Sequence, residues 1–414
     1  MINSRIGHAR ISRRAALLGG VAAVTAPSVL RAQSDPIKIA TLTPLTGAGG
    51  SYGPVMAKVA AAVVEQVNAA GGVLGRKIVL VSEDDQTNPD AGVRAARKLI
   101  DVDKVAAIVG TWASSVTTAV APLCWESKTF LCTVSGADSI TLLPHQGYLV
   151  RTQPNTVLQV TRSGDFLVSL GVKKIWTFVP QTPFAKSSIE IMEGVAKKAG
   201  GSHGSLIYDD KKTTYRTEVD QMMRFAPDAI LCAGYTPDTV VLLKDLYRAG
   251  YKGKIIGQAY AINQKLIEQV GQNEVLEGIY TYAPSTAEGS GALERVKKLS
   301  GLASPDPYTS QVYDHVNMVL MAMAVGKGAT GTIIKDNIRK VSQGGWQAGR
   351  QCRRWAEVDL GRREGRLRGR LRRVRLRRQG RHPRLQVPLR ADQGRKTCSG
   401  EDRLIVWSLS SRRC

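Results

Sequence analysis

Cysteine and histidine are scarce, and what there is sits badly for chemistry. Six Cys occur in 414 residues: Cys124, Cys132 and Cys232 in the body, and Cys352, Cys398 and Cys414 near the end. No C-x-x-C spacing occurs among the first three, so neither a zinc site nor a redox motif is expected. Cys124 and Cys132 could bridge in an oxidising compartment. Three is an odd number, however, and small buried apolar side chains are the expected reading for all of them. The body's histidines, His145, His203 and His315, form no H-E-x-x-H, and there is no G-x-S-x-G or P-loop. Gly47-x-Gly49-x-x-Tyr52 puts Tyr where a dinucleotide fingerprint needs its third Gly. The carboxylates Glu83-Asp84-Asp85 follow an apolar run and read as solvated or helix-capping groups. These absences exclude the common catalytic and metal chemistries, and no cofactor is implied. Beyond the first 32 residues no apolar run reaches the ~18–20 residues that span a bilayer, so a soluble mature chain is expected.

Acidic residues are missing at both ends, and this makes the bulk charge misleading. The formal net charge is +24, which would ordinarily suggest a nucleic-acid or membrane partner. Residues 1–32 hold five Arg and no acid, and residues 346–414 hold 21 Lys and Arg against 6 Asp and Glu. The remainder has 32 basic and 28 acidic residues. It is nearly neutral and gives no reason for a nucleic-acid partner. At the N-terminus Arg10, Arg13 and Arg14 precede the uncharged stretch Ala15–Leu30 and then Arg31-Ala32. That order is an export signal, 1–32, cleaved near Ala32 and delivering the chain to the periplasm. Ser12-Arg13-Arg14-Ala15-Ala16-Leu17-Leu18 is similar to a twin-arginine leader.

Between the ends, short apolar runs alternate with amphipathic stretches. Strands are predicted at Ile37–Thr43, Ile78–Ser82, Val105–Gly110 and Phe130–Val134, with helices between them. After an extended crossing near Leu149–Pro154 the alternation restarts, with strands at Lys174–Val179, Gly204–Tyr208, Ala229–Cys232 and Lys254–Ile256. Helices at Tyr308–Val325 and Thr330–Val341 close the readable body. Repeated strand–helix alternation implies an α/β fold of parallel sheets covered by helices. Two runs imply two lobes: 33–153 and 154–283, with 284–345 returning to the first. Ligands of such sheets sit beyond the strand C-termini, here in a cleft between lobes.

Two strand-to-helix loops are chemically suited to that cleft. Gly110-Thr111-Trp112-Ala113-Ser114-Ser115-Val116-Thr117 offers helix-start N–H groups and hydroxyls to a carboxylate or carbonyl oxygen, although a plain N-cap would look the same. Ser135-Gly136-Ala137-Asp138-Ser139 repeats the arrangement with an acid for an amine or amide. Tyr52, Trp112, Phe184, Tyr235 and Tyr260 stand at loop positions able to line a cleft, or to serve as packing.

Pro44-Leu45-Thr46-Gly47, Asn68-Ala69-Ala70-Gly71-Gly72-Val73-Leu74-Gly75-Arg76, Asp84-Asp85-Gln86-Thr87, Ala96-Arg97-Lys98-Leu99-Ile100 and the Gly110–Ser115 segment together resemble the branched-chain amino acid and amide-binding proteins of ABC importers. The resemblance covers about 36–345. It implies a type I periplasmic binding protein: two Rossmann-like lobes on a three-strand hinge, monomeric, closing on a small solute and presenting it to membrane permease subunits. By the same resemblance Ser114 would hold a ligand carboxylate or carbonyl. Ala113, Ser135 and Ala137 would offer backbone groups, with Thr117 and Asp138 nearby. Phe184 falls where the family's second lobe carries a tyrosine. Amino-acid-binding members have a Glu for the ligand's ammonium where this chain has Gln258-Ala259-Tyr260. An amide, urea-like or aromatic carboxylate ligand is therefore expected over a leucine-type one. A sensor module of the same fold and an exported amide hydrolase are the alternatives.

After Gly345 the composition changes, as in Arg362-Arg363-Glu364-Gly365-Arg366-Leu367-Arg368-Gly369-Arg370. A frameshift near Gly344–Gly345 is expected to have replaced the fold's last helix, strand and hinge crossing. Codons can be chosen so that reading one base later gives a near-neutral continuation with helix and strand signals. On that reading, 346–414 is a disordered, aberrant tail.

Overall fold

The computed structural model describes residues 35–271, 273–276, 278–284, 291–343 and 404–408. Chain order begins β1 (Ile37–Thr43), α1 (Gly53–Ala69), β2 (Ile78–Asp84), α2 (Pro89–Arg97), β3 (Ala107–Thr111), α3 (Ser114–Glu126), β4 (Phe130–Thr133) and β5 (Leu149–Arg151). These strands form one parallel sheet in the order β2-β1-β3-β4-β5. In β1 every residue but Lys38 is buried, and β3 and β4 are buried throughout. Strands covered on both faces need continuous apolar runs, which is what Ile37–Thr43 and Phe130–Thr133 supply.

The chain then enters a second sheet through α4 (Thr156–Ser169), β6 (Lys174–Pro180), α5 (Pro183–Lys198) and β7 (Ser202–Tyr208). It continues through α6 (Arg216–Phe225), β8 (Ala229–Cys232), α7 (Thr236–Arg248), β9 (Lys254–Gln258), α8 (Gln264–Val270) and β10 (Ile279–Pro284). The helices α9 (Ala292–Ser300), α10 (Pro307–Gly326) and α11 (Gly331–Ser342) follow, then β11 (Leu404–Ser408). The second sheet has the order β11-β10-β9-β8-β6-β7, parallel except for the antiparallel β10–β11 pair.

The core divides the same way. One cluster joins residues 37–149 to Tyr308, Val312, Val316, Val319 and Ile334, so α10 and α11 return to the first lobe. Two further clusters cover the faces of the second sheet, one around Phe178, Tyr215 and Leu243 and the other around Val160, Ile175 and Tyr282. Strand–helix alternation in the sequence anticipated both sheets. It passed over β10, α8 and α9, where short elements carry little periodicity. The chain passes between lobes at 152–155, and α9, which follows β10 in sequence, packs with α1 of the first lobe. The third crossing that the resemblance implies lies outside the described residues.

Within the segment 346–414, expected to be a disordered, aberrant tail, Leu404–Ser408 pairs along β10. Its Leu-Ile-Val-Trp-Ser is a strand-forming run, and β10 would otherwise present an unpaired edge. Of the carboxylates expected to be solvated or helix-capping, only Asp85 is wholly withdrawn from solvent. Glu83 pairs with Lys98, Asp84 accepts from the Thr46 hydroxyl at 2.6 Å, and Asp85 is fully buried. Cys124, Cys132 and Cys232 are free and buried, as small apolar side chains. Among the described residues no single helix is long and apolar enough to cross a membrane.

Candidate ligand cleft

Six of the described helices are capped by side chains at their starts, and those that begin after Tyr52, Ala113, Tyr215, Tyr235 and Gly291 are not. Asn88, Asn155, Thr182, Asn263, Asp306 and Thr330 each accept a backbone N–H at the start of α2, α4, α5, α8, α10 and α11. At α3 the N-cap is Ala113, which has no oxygen to offer. The first-turn N–H groups of α3 therefore keep their partial positive charge for another acceptor.

The approach to that helix start is shaped by Gly110. Its φ is +96°, and a Cβ there would stand 2.8 Å from the Thr43 Cγ2. The β3–β4 register shifts between Val109 and Thr111. This bulge turns the chain so that Trp112, Ala113 and Ser114 emerge at the sheet's C-terminal edge. Beneath them a hydroxyl network fixes the loop. Thr133 Oγ1 donates to the Thr111 carbonyl at 2.8 Å, Ser135 Oγ donates to that of Trp112 at 2.8 Å, and Thr117 Oγ1 donates to Ser135 Oγ at 2.6 Å. Ser114 Oγ accepts from the Ala137 N–H at 3.2 Å, which leaves its own proton to donate elsewhere.

Aromatic rings from both lobes meet above this helix start. From the first lobe, Trp112 stacks on Tyr52 with centroids 5.6 Å apart, and Tyr308 stands edge-on to both. From the second, Tyr235 and Tyr260 each lie 5.6 Å from Trp112, and Phe184 meets Tyr260 edge-on. The Tyr52 hydroxyl crosses the gap, donating to the Ala259 carbonyl at 3.2 Å and accepting from Asn263 Nδ2 at 3.2 Å. The cleft holds about 390 Å³, its open mouth included, and no lining residue carries a formal charge. Besides the tyrosine hydroxyls and the Trp112 indole, its polar side chains are Ser114, Thr182, Gln153 and Gln258.

The structure gathers Trp112, Ala113, Ser114, Phe184, Tyr235 and Tyr260 into the lining. The other five candidates stand behind it. Thr117 and Ser135 spend their hydroxyls in the loop network, Ala137 is buried under Ser114, and Tyr52 bridges the lobes. Asp138 opens a turn of 3-10 helix beside Arg151, which donates to the Ala137 carbonyl at 2.8 Å. Sequence reasoning missed Gln153, Val134 and Tyr308. Tyr308 carried a signal in hindsight, lying two residues after the N-cap Asp306 of a long helix. Gln153 lies in the extended crossing, which has no periodicity to mark it.

Asp85 lies at the same edge. Burial pushes its carboxyl up to about 7, further raised by Asp84 and opposed by the Thr87 N–H at 2.8 Å. Its second oxygen has no partner.

A family model described as "Periplasmic binding protein" matches residues 36–378. The chain belongs to that family. An amino acid binding protein of Pseudomonas aeruginosa is 23% identical over 323 residues, covering 75% of this chain and 84% of the relative. A leucine-binding protein from Thermotoga maritima superposes with a TM-score of 0.67 at 24% identity, covering 74% and 87%. An ABC transporter solute-binding protein from R. palustris, solved with 4-hydroxybenzoate, gives 0.63 at 19% identity, covering 73% and 84%. Solved structures of this fold thus include a leucine-binding protein and one holding 4-hydroxybenzoate. The match also runs past Gly345, where the composition changes.

Proposed function

We propose that this periplasmic binding protein, exported on a twin-arginine-like leader cleaved near Ala32, captures a small solute and delivers it to an ABC importer by lobe closure. The solute is a planar carboxylate or amide, aromatic carboxylates above all, and the uncharged lining carries this reading. An amino acid brings an ammonium group, and burying it unpaired would cost several kcal/mol. No carboxylate in the lining can meet it. A lone carboxylate fares differently, since the uncapped α3 start and the Ser114 hydroxyl are oriented donors needing no counter-cation. A flat ring then finds Trp112, Tyr235 and Tyr260 at stacking distance. Closure follows because such a ligand touches both lobes and so favours the closed state by its differential affinity.

A thermal melt of the leaderless protein against benzoate-type acids, aryl amides, urea and aliphatic amino acids tests this. Binding to the native state should add about 4 kcal/mol at a thousandfold excess over Kd. A clear shift with aromatic carboxylates is expected. A shift with leucine alone would overturn the ligand class and leave the receptor role standing.

A further inference from the structure

Helix α10 carries polar residues where its neighbours are aliphatic. Val312, Val316 and Val319 are fully buried in the first lobe's core, as is His315. Gln311 Nε2 donates to Gln153 Oε1 at 2.6 Å, and His315 Nε2 lies 2.8 Å from Thr152 Oγ1. Two consecutive residues of the interlobe crossing are thus held by one helix, whose first turn also supplies Tyr308 to the cleft. The arrangement has a cost, because Gln311 Oε1 and His315 Nδ1 are buried without partners. Aliphatic side chains at 311 and 315 would stabilise the helix better, so its polar face requires another purpose.

We infer that Gln311 is a positioning residue, fixing the Gln153 amide so that its Nε2 points into the cleft as a donor to the ligand's oxygen. Gln153 is 5% exposed and lines the cleft. With Oε1 engaged by Gln311, the amide has one orientation and Nε2 is the group left to face the solute. Gln258 is set the opposite way. Gln159 Nε2 donates to the Pro154 carbonyl, which obliges its Oε1 to accept from Gln258 Nε2 at 3.1 Å, leaving Gln258 Oε1 as an acceptor. The cleft then offers one amide donor at Gln153 and one amide acceptor at Gln258. A carboxylate or primary carboxamide meets the first, and a ring hydroxyl or amide N–H meets the second. This assignment rests on the proposed ligand class.

The test has a ligand-free arm and a binding arm, both on the full chain. In side-chain 15N spectra, Gln311→Met should shift and broaden the Gln153 NH2 pair; an unchanged pair overturns the inference whatever the ligand proves to be. Gln153→Glu keeps an acceptor for Gln311 and turns an oxygen on the ligand's oxygen; the charge it buries should lower its melting temperature, so its affinity is read well below that temperature. Its affinity for an aromatic carboxylate should fall at least about a hundredfold, while Gln311→Met should lose about tenfold, one hydrogen bond's worth. Parent-like carboxylate affinity in Gln153→Glu would overturn the inference and leave the receptor reading intact. Failure of the parent to bind any carboxylate or amide, with the Gln153 signal moving as expected, would overturn the ligand class instead.

Discussion

Tyr52 packs with one lobe and hydrogen-bonds to the other. Its ring is held by Trp112 and Tyr308, and its hydroxyl is held by Ala259 and Asn263 across the cleft. Removing only the oxygen separates the two roles. Tyr52→Phe should leave the melting temperature of the ligand-free protein within about 2 °C and weaken ligand binding about five- to tenfold, mostly through faster release. Stopped-flow dissociation checks this, and an unchanged off-rate would remove the hydroxyl from the closed state's support. Asp85 makes a prediction in pH. Its ordinary value is 3.8 and its folded value about 7, so folding favours the protonated form. The stability it contributes is fully present below about 3.8 and is lost as pH rises through about 7. Asp85→Asn should therefore gain in melting temperature over the parent as pH climbs from about 4 to 7, and hold that gain above. A constant difference across that range would show that Asp85 titrates normally. These residues also show what sequence pattern reveals. Trp112, Ser114 and Tyr235 were legible because they follow strand ends directly. Asp85 was misread because a carboxylate's burial depends on what packs over it, which the local pattern does not show.

At the level of elements, α3 is one of five described helices whose start lacks a side-chain cap, and its N-cap residue lines the cleft. Ala113 leaves the helix uncapped in a chain that caps six others, and the cleft opens above that gap. Under the proposed function, the α3 start is left open for the ligand's oxygen. Ala113→Asp supplies the missing acceptor, so it should stabilise the protein by about 1 kcal/mol. It should also abolish carboxylate binding, because its own oxygen takes the ligand's place and adds like charge. Calorimetry gives both quantities, and a stabilised variant that still binds would move the ligand's anionic end elsewhere. A second element-level device is Gly136, where a Cβ would lie 3.0 Å from the Phe184 ring of the facing lobe. Gly136→Val should hold the lobes apart, lowering affinity more than tenfold with little loss of stability. Small-angle scattering with ligand would show the wider form, and a normally compact complex would refute the steric argument.

The whole molecule tests the end of the chain. Two parallel sheets and their helices were legible because strands buried on both faces read as continuous apolar runs, and helices between them carry a 3.6-residue period. That legibility stops at Gly345, where Arg-rich sequence offers neither period. The composition change predicts a lost reading frame there, although β11 at Leu404–Ser408 does meet the β10 edge. The two ideas part experimentally. If the frame is lost, restoring it should give a chain that melts cooperatively and several degrees higher, because a native terminal segment buries apolar surface that an arginine-rich one cannot. Affinity for the ligand should rise with it, since closure depends on every crossing between the lobes. Reading the gene across Gly344–Gly345 settles the codons. Equal melts and equal affinities for the two chains would make the written tail a working part of the fold, with β11 as the strand that completes its second sheet.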